Sequence, residues 1–172
     1  MAAAAQALIR EFDTEVPATR RVLERVPGER FDWRPHPRSM SAGQLAQHVA
    51  SIPGNAARLA KMDGFDVSTA PATYAPAENR EKLLAGFEDS VTSLRAFLAG
   101  LDEPTAAAAW RLTFNDREIA AWSRLTMIRT MGLNHWYHHR GELVVYLRLL
   151  GVAVPVVYGR SADENPFAQK AS

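Results

Sequence analysis

Four stretches of this chain repeat apolar side chains at helical spacing, and that repetition constrains the fold more than any other feature. Leu83, Leu84, Phe87, Val91, Leu94, Phe97 and Leu98 make the clearest stripe, which ends near Gly100 ahead of Asp102-Glu103-Pro104. A second runs from about Ala3 to Val26 through Leu8, Ile9, Phe12, Val16, Val22 and Leu23, interrupted by Pro17 and closed by Pro27-Gly28. A third starts at Ser41, a good helix cap, where Gln44 three residues later completes a capping-box pattern. It continues through Leu45, His48, Val49 and Ile52 to about Met62, with a kink expected at Pro53-Gly54. The fourth runs from about Ala120 to Leu150 and stops at Gly151.

Amphipathic helices must bury their stripes against one another, so the expectation is an all-α four-helix bundle. Residues 29–40 and 63–77 lack helical period and carry turn formers, and two such long connections require crossovers along the bundle. The first should be pinned by Phe31 and Trp33. From Trp110 to Ile119 a short alternating pattern around Asn115-Asp116 predicts a small hairpin or an irregular crossover.

A chain of 172 residues suits one core, so a single domain over residues 1–172 is expected. No apolar run approaches the roughly 18 residues of a membrane span. The N-terminal Met-Ala-Ala-Ala-Ala-Gln lacks a basic start and merges into the first helix, so it does not read as a targeting segment. Twenty basic and 19 acidic residues give a net charge of +1 without a basic stripe, which argues against nucleic acid as a partner. The absence of cysteine excludes disulfides, cysteine-held zinc and a cysteine nucleophile, and is compatible with a reducing, cytoplasmic compartment. Thiol chemistry here would need a thiol from a small molecule.

Three of the five histidines fall within five residues, His135, His138 and His139 of the fourth helix. His135 and His139, four apart, project from nearly the same helical face and can clamp one metal ion. His135 and His138, three apart, can do so too, and spacing alone does not choose between them. A third ligand must come from elsewhere, and His48 on a helix packed alongside is the natural candidate. Neutral imidazole suits zinc, nickel, copper and iron, and three protein ligands commonly leave a position open for water. Glu142 continues the stripe of His135 and His139 and can be read as an acceptor fixing an imidazole, a ligand, a general base or an arginine's ion-pair partner. His36, between two prolines, reads as a solvated turn residue, and Trp33, Trp136 and Tyr137 as packing residues.

These residues resemble a family. Ala46-Gln47-His48, His135-x-x-x-His139-Arg140-Gly141-Glu142-Leu143 and the tail from Val154 to Asp163 are similar in order to the DinB-like superfamily, with its YfiT-type members classed as metal-dependent hydrolases. Phe31-Asp32-Trp33-Arg34-Pro35 and Met40-Ser41 also look like that family's first connection, so the resemblance covers nearly the whole chain. It implies a four-helix bundle with up-down-down-up connections, commonly a homodimer. It also implies a divalent metal held by His48, His135 and His139, and zinc or nickel is the expected ion for such a donor set. Many relatives carry glutamine where Glu142 stands, so the resemblance gives Glu142 no acid-base role.

Two functions follow as expectations. One is a metal-dependent enzyme, a thiol S-transferase or hydrolase acting on a small-molecule substrate with water or a low-molecular-weight thiol as nucleophile. The other is a non-catalytic metal- or ligand-binding dimer acting in a stress response.

Overall fold

The computed structural model describes residues 2–71 and 74–168. The long helices are α1 (Ala3–Glu24), α2 (Ala42–Ala60), α3 (Arg80–Gly100) and α6 (His135–Leu149). Two short helices, α4 (Glu103–Ala107) and α5 (Arg124–Met127), flank strands β2 (Ala109–Phe114) and β3 (Arg117–Ser123), and β1 (Gly64–Asp66) follows α2. α2 packs against both α3 and α6, and α1 against α3 and α6. Phe12, Phe87 and Trp136 meet at the centre, with Trp136 ring centroids 5.4 Å from Phe12 and 6.2 Å from Phe87. Each such side chain, fully buried, stabilises the fold by roughly 1.5–3 kcal/mol.

The all-α expectation is corrected: the chain is mostly helical but carries a three-stranded sheet in the order β1-β2-β3. β1 pairs parallel with β2, and β2 pairs antiparallel with β3. The hairpin turn is Asn115-Asp116, with φ of 50° and 62°. Two consecutive positive φ values match the twist of a tight two-residue hairpin, and Asn and Asp tolerate them best after glycine. Asp66 clamps that turn, its carboxylate accepting the Asn115 and Asp116 N–H groups at 3.2 and 2.9 Å. Gly64 admits the close parallel approach, since a Cβ there would lie 2.6 Å from the Arg111 carbonyl oxygen.

The fourth helix is also shorter than its apolar pattern predicts. β3 claims residues through Ser123, whose hydroxyl caps α5 by accepting the Thr126 N–H at 3.1 Å. A π-helical segment, Ile128–Asn134, then joins α5 to α6. Gly132 lies within it where a Cβ would stand 3.1 Å from that of Ala56, so a larger residue would push this segment off α2.

Buried Arg124 ends α2. Its guanidinium donates to the Ala60 and Met62 carbonyls at 2.7 and 3.0 Å and to Asp63 at 2.8 Å. The last carbonyls of a helix have no intrahelical partner and attract positive charge, so an arginine from the sheet side both caps α2 and docks the hairpin on it. Among the described residues, no helix is long and apolar enough to cross a membrane.

Candidate metal centre

His48 lies on α2 one turn beyond the capping box. Ser41 Oγ accepts the Gln44 N–H at 3.2 Å while the Gln44 side chain accepts the Ser41 N–H at 2.8 Å. Gln44 then donates from its amide to the Tyr74 carbonyl at 2.9 Å. That bond lays the Tyr74 ring over His48, with centroids 4.4 Å apart. The start of α2 therefore fixes both His48 and its aromatic cover.

From the other side come His135 and His139, the first residue of α6 and the one a turn later. Ligand nitrogens of His48, His135 and His139 all lie within 4.8 Å of one another, and the Nε2 atoms of His48 and His135 are 3.3 Å apart. Ions with metal–nitrogen bonds of about 2.0–2.1 Å in tetrahedral geometry hold neighbouring ligand nitrogens about 3.3–3.4 Å apart, so this pair is already at ligand spacing. Where both nitrogens present lone pairs they repel one another and are drawn together by a shared cation, whereas a proton on either makes a hydrogen bond of the same length. The donor set thus fits a divalent ion.

The electrostatics agree. Burial, followed by repulsion from His139 and His135, pushes the His48 ring down from 6.5 to about 3. Burial, then His139, lowers His135 as well, against a ring hydrogen bond to the Met131 backbone. Both rings are therefore neutral near neutral pH, the form that coordinates. Support differs among the three. His139 Nδ1–H donates to Glu142 Oε2 at 2.6 Å, which leaves its Nε2 as the free ligand atom. His48 Nδ1, in contrast, is buried without a hydrogen-bond partner among the described residues.

Of the readings for Glu142, the imidazole acceptor describes the geometry: it takes His139 and, at 3.3 Å, His138. His138 is 63% exposed and turned away from His48, so the pair facing His48 is His135 with His139. His138, His139 and Glu142 also lie close enough to hold an ion, but they form an exposed group in which His139 Nδ1 already serves Glu142. His36 is exposed, its Nδ1 accepts the Arg38 N–H at 3.2 Å, and it joins neither group of potential ligands among the described residues. Trp33 and Tyr137 pack against the core, and Trp136 is fully buried.

A cavity of about 280 Å³ opens beside the triad, reached by His48 and His135. Its walls include Ile52, Phe65, Val67, Tyr74 and Met131, with Asn55 and Arg58 as polar members. Sequence reasoning missed Tyr74 and Met131, because a loop residue and a residue of the π segment carry no periodic signal. Asn55 and Arg58 had one: they follow His48 by seven and ten positions on the same helix.

Fold and site together define a class of mostly helical proteins with three converging histidines from two helices at the end of an apolar cavity. The chain belongs to the DinB family, whose model matches residues 1–169. It is similar to the uncharacterized protein YjoA of Bacillus subtilis strain 168, with 25% identity over 152 residues, 84% of this chain and 89% of that protein. The crystal structure of YjoA, a DinB-like protein, aligns with a TM-score of 0.67 and 19% identity, covering 90% of this chain and 99% of its own. A DinB-like protein from Bacillus cereus ATCC 10987 aligns at 0.65 with 17% identity, covering 89% and 97%. A protein assigned to the DinB family from Exiguobacterium sibiricum 255-15 aligns at 0.65 with 23% identity, covering 91% and 97%. At these identities the structural likenesses carry the fold alone.

Proposed function

We propose that this DinB-family chain is a divalent-metal protein in which His48, His135 and His139 hold one ion and the adjoining cavity takes a small organic substrate. The observation that supports this reading is the convergence of three imidazoles, two of them with nitrogens 3.3 Å apart, at the end of an apolar cavity. Zinc or nickel suits an all-imidazole donor set. When bound, such an ion lowers the pKa of a coordinated water or thiol so that the nucleophile exists near neutral pH. The chain's own residues would do the rest. Glu142 orients His139, Tyr74 closes one side, and Ile52, Phe65 and Met131 keep water from the substrate body.

With no cysteine in the chain, S-transfer would draw its sulfur from a low-molecular-weight thiol, and hydrolysis would use water. A single domain over residues 1–172, up-down-down-up helix connections, assembly as a homodimer and a cytoplasmic location belong to the same proposal, the connections and the dimer resting on the family resemblance.

Metal analysis by mass spectrometry on tag-free protein, beside a His48→Ala/His139→Ala double variant, tests the reading. About one ion per chain in the wild type and almost none in the variant is the expected result. A metal-dependent turnover screen with thiols and electrophiles then separates an enzyme from a non-catalytic binder. No metal in either protein, even after it is added back, would reduce the histidines to packing.

A further inference from the structure

The polar residues that line the cavity from α2 stand at two levels of that helix, and apolar residues make up most of the rest of the lining. His48 marks one level, beside His135. Arg58 stands ten residues beyond His48 on the same helix, about 15 Å further along the axis, with Asn55 one turn before it. Ile52 lies between them on α2, and Leu59, Phe65 and Val67 add further apolar wall. Among the described residues no carboxylate lines this cavity. A ligand in it therefore meets a guanidinium with no acidic neighbour to neutralise it inside the cavity, and an amide that donates or accepts beside it.

We infer that the cavity selects an amphipathic anion: an oxyanion headgroup held by Arg58 and Asn55, an apolar body along Ile52, Phe65 and Val67, and a far end presented to the histidines. Three observations carry this. Arginine offers a planar fork of donors that matches carboxylate and phosphate oxygens, and it keeps its charge at any physiological pH. An apolar corridor favours a hydrocarbon or aromatic body over a fully polar one. The separation of His48 and Arg58 along α2, about 15 Å, is more than a two-carbon acid spans. Naming the histidine end as the reacting end rests on the metal reading above, whereas anion recognition at Arg58 does not.

The test is calorimetric titration of metal-free full-length protein, prepared with a chelator, using octanoate, octyl phosphate and octanamide as probes. Chelation removes the metal as a competing anion site. Octanoate, octyl phosphate or both should bind at least tenfold more tightly than octanamide, and the tighter of the two names the headgroup. Arg58→Gln should bring all three probes to similar affinity, and Arg58→Lys should restore part of the preference. Arg58 is exposed, so neither substitution threatens the core.

Equal binding of octanoate, octyl phosphate and octanamide by the wild type would overturn the inference, as would an anion preference that survives in Arg58→Gln or no binding of any probe. Those failures leave metal binding untouched, because the metal is measured separately. A protein that never takes up metal yet shows Arg58-dependent selection would instead sink the metal reading and keep this one.

Discussion

The indole N–H of Trp136 donates to the Val49 carbonyl 3.0 Å away, and that carbonyl is the one Pro53 leaves without an intrahelical donor. The residues next to this pair in sequence are His135 and His48, whose Nε2 atoms are 3.3 Å apart. A proline that ordinarily breaks a helix has here become the docking point for a second helix. It does so one residue from the candidate metal ligands. Beside the proline, Ser90 Oγ on α3 accepts the Gly54 N–H at 2.6 Å, a second bond that ties α2 to a neighbouring helix.

Trp136→Phe keeps the aromatic packing and removes the donor. The Val49 carbonyl would be left buried and unpaired, costing about 1–3 kcal/mol. Urea denaturation should show that loss, and a chelator competition should show weaker metal binding as His135 loosens. A loss under about 0.5 kcal/mol would mean that the carbonyl finds another donor.

Glu142→Ala should weaken metal affinity about 10–100-fold, because His139 loses the acceptor that fixes its ring and tautomer. Glu142→Gln retains an acceptor and should lose less. His138→Ala, at an exposed ring facing away from His48, should leave affinity unchanged. Competition with a chromophoric chelator ranks the three, and a His138→Ala defect as large as that of Glu142→Ala would point to the outer group of ligands instead.

Acid should destabilise the metal-free protein earlier than carboxylate titration alone would. The folded His48 takes up its proton only near pH 3, whereas the unfolded residue does so near 6.5. Between those values the unfolded state binds more protons, so stability falls as pH is lowered through that window. The contribution is on the order of a few kcal/mol, with His135 acting in the same direction. Denaturation midpoints across the window should flatten in His48→Gln, and an unchanged slope would remove His48 as the cause.

Arg140 is 2% exposed and pairs with Glu15 at 2.6 Å. Thr19 accepts from it at 3.0 Å, and the Tyr158 hydroxyl bonds both it and Glu15. Glu15→Ala would strand a buried guanidinium and should destabilise the fold by about 3–5 kcal/mol, while a Glu15→Met/Arg140→Met double variant should recover most of that. Thermal and urea unfolding decide the matter. Comparable losses in the single and double variants would show that Thr19 and Tyr158 depend on the charge itself.

Asp66→Ala should loosen the hairpin. Its carboxylate also accepts from Ser68, and those bonds, led by the one to Asp116, hold it well below the usual carboxylate range. Faster amide exchange at Ser68, Asn115 and Asp116 is the expected signature, together with weaker probe binding, since Phe65 and Val67 on either side line the cavity. Unchanged exchange would assign the turn to the Asn115-Asp116 backbone alone.

What could be read before the structure was whatever is written locally. The capping box at Ser41 and Gln44 needs four consecutive residues and formed as read. Helix-period stripes located the long helices, because a stripe is a property of its own segment. The three converging histidines could be named because two share a helix face, with the resemblance choosing between the pairs. Elements defined by partners were not legible. β1 is three residues long and exists only because Arg111 to Thr113 lie alongside it. Residues 120–123, Ala-Ala-Trp-Ser, suit either helix or strand, and pairing with Ala109 to Leu112 decided for strand. Arg124 looks like a surface arginine until the end of α2 is brought to it.

The π segment ahead of His135 amounts to a helix carrying a surplus residue, since its bonds reach one position further than those of an α-helix. Length, not composition, then controls the site, and in one direction only. Removing one residue between Ile128 and Asn134 would return the segment to ordinary winding and leave His135, Trp136 and His139 near their present facing toward α2. An added residue has no surplus to absorb it and would swing everything beyond it by about 100°. Insertions in these seven residues should therefore be far less tolerated than single deletions or than substitutions at the same positions, Gly132 excepted.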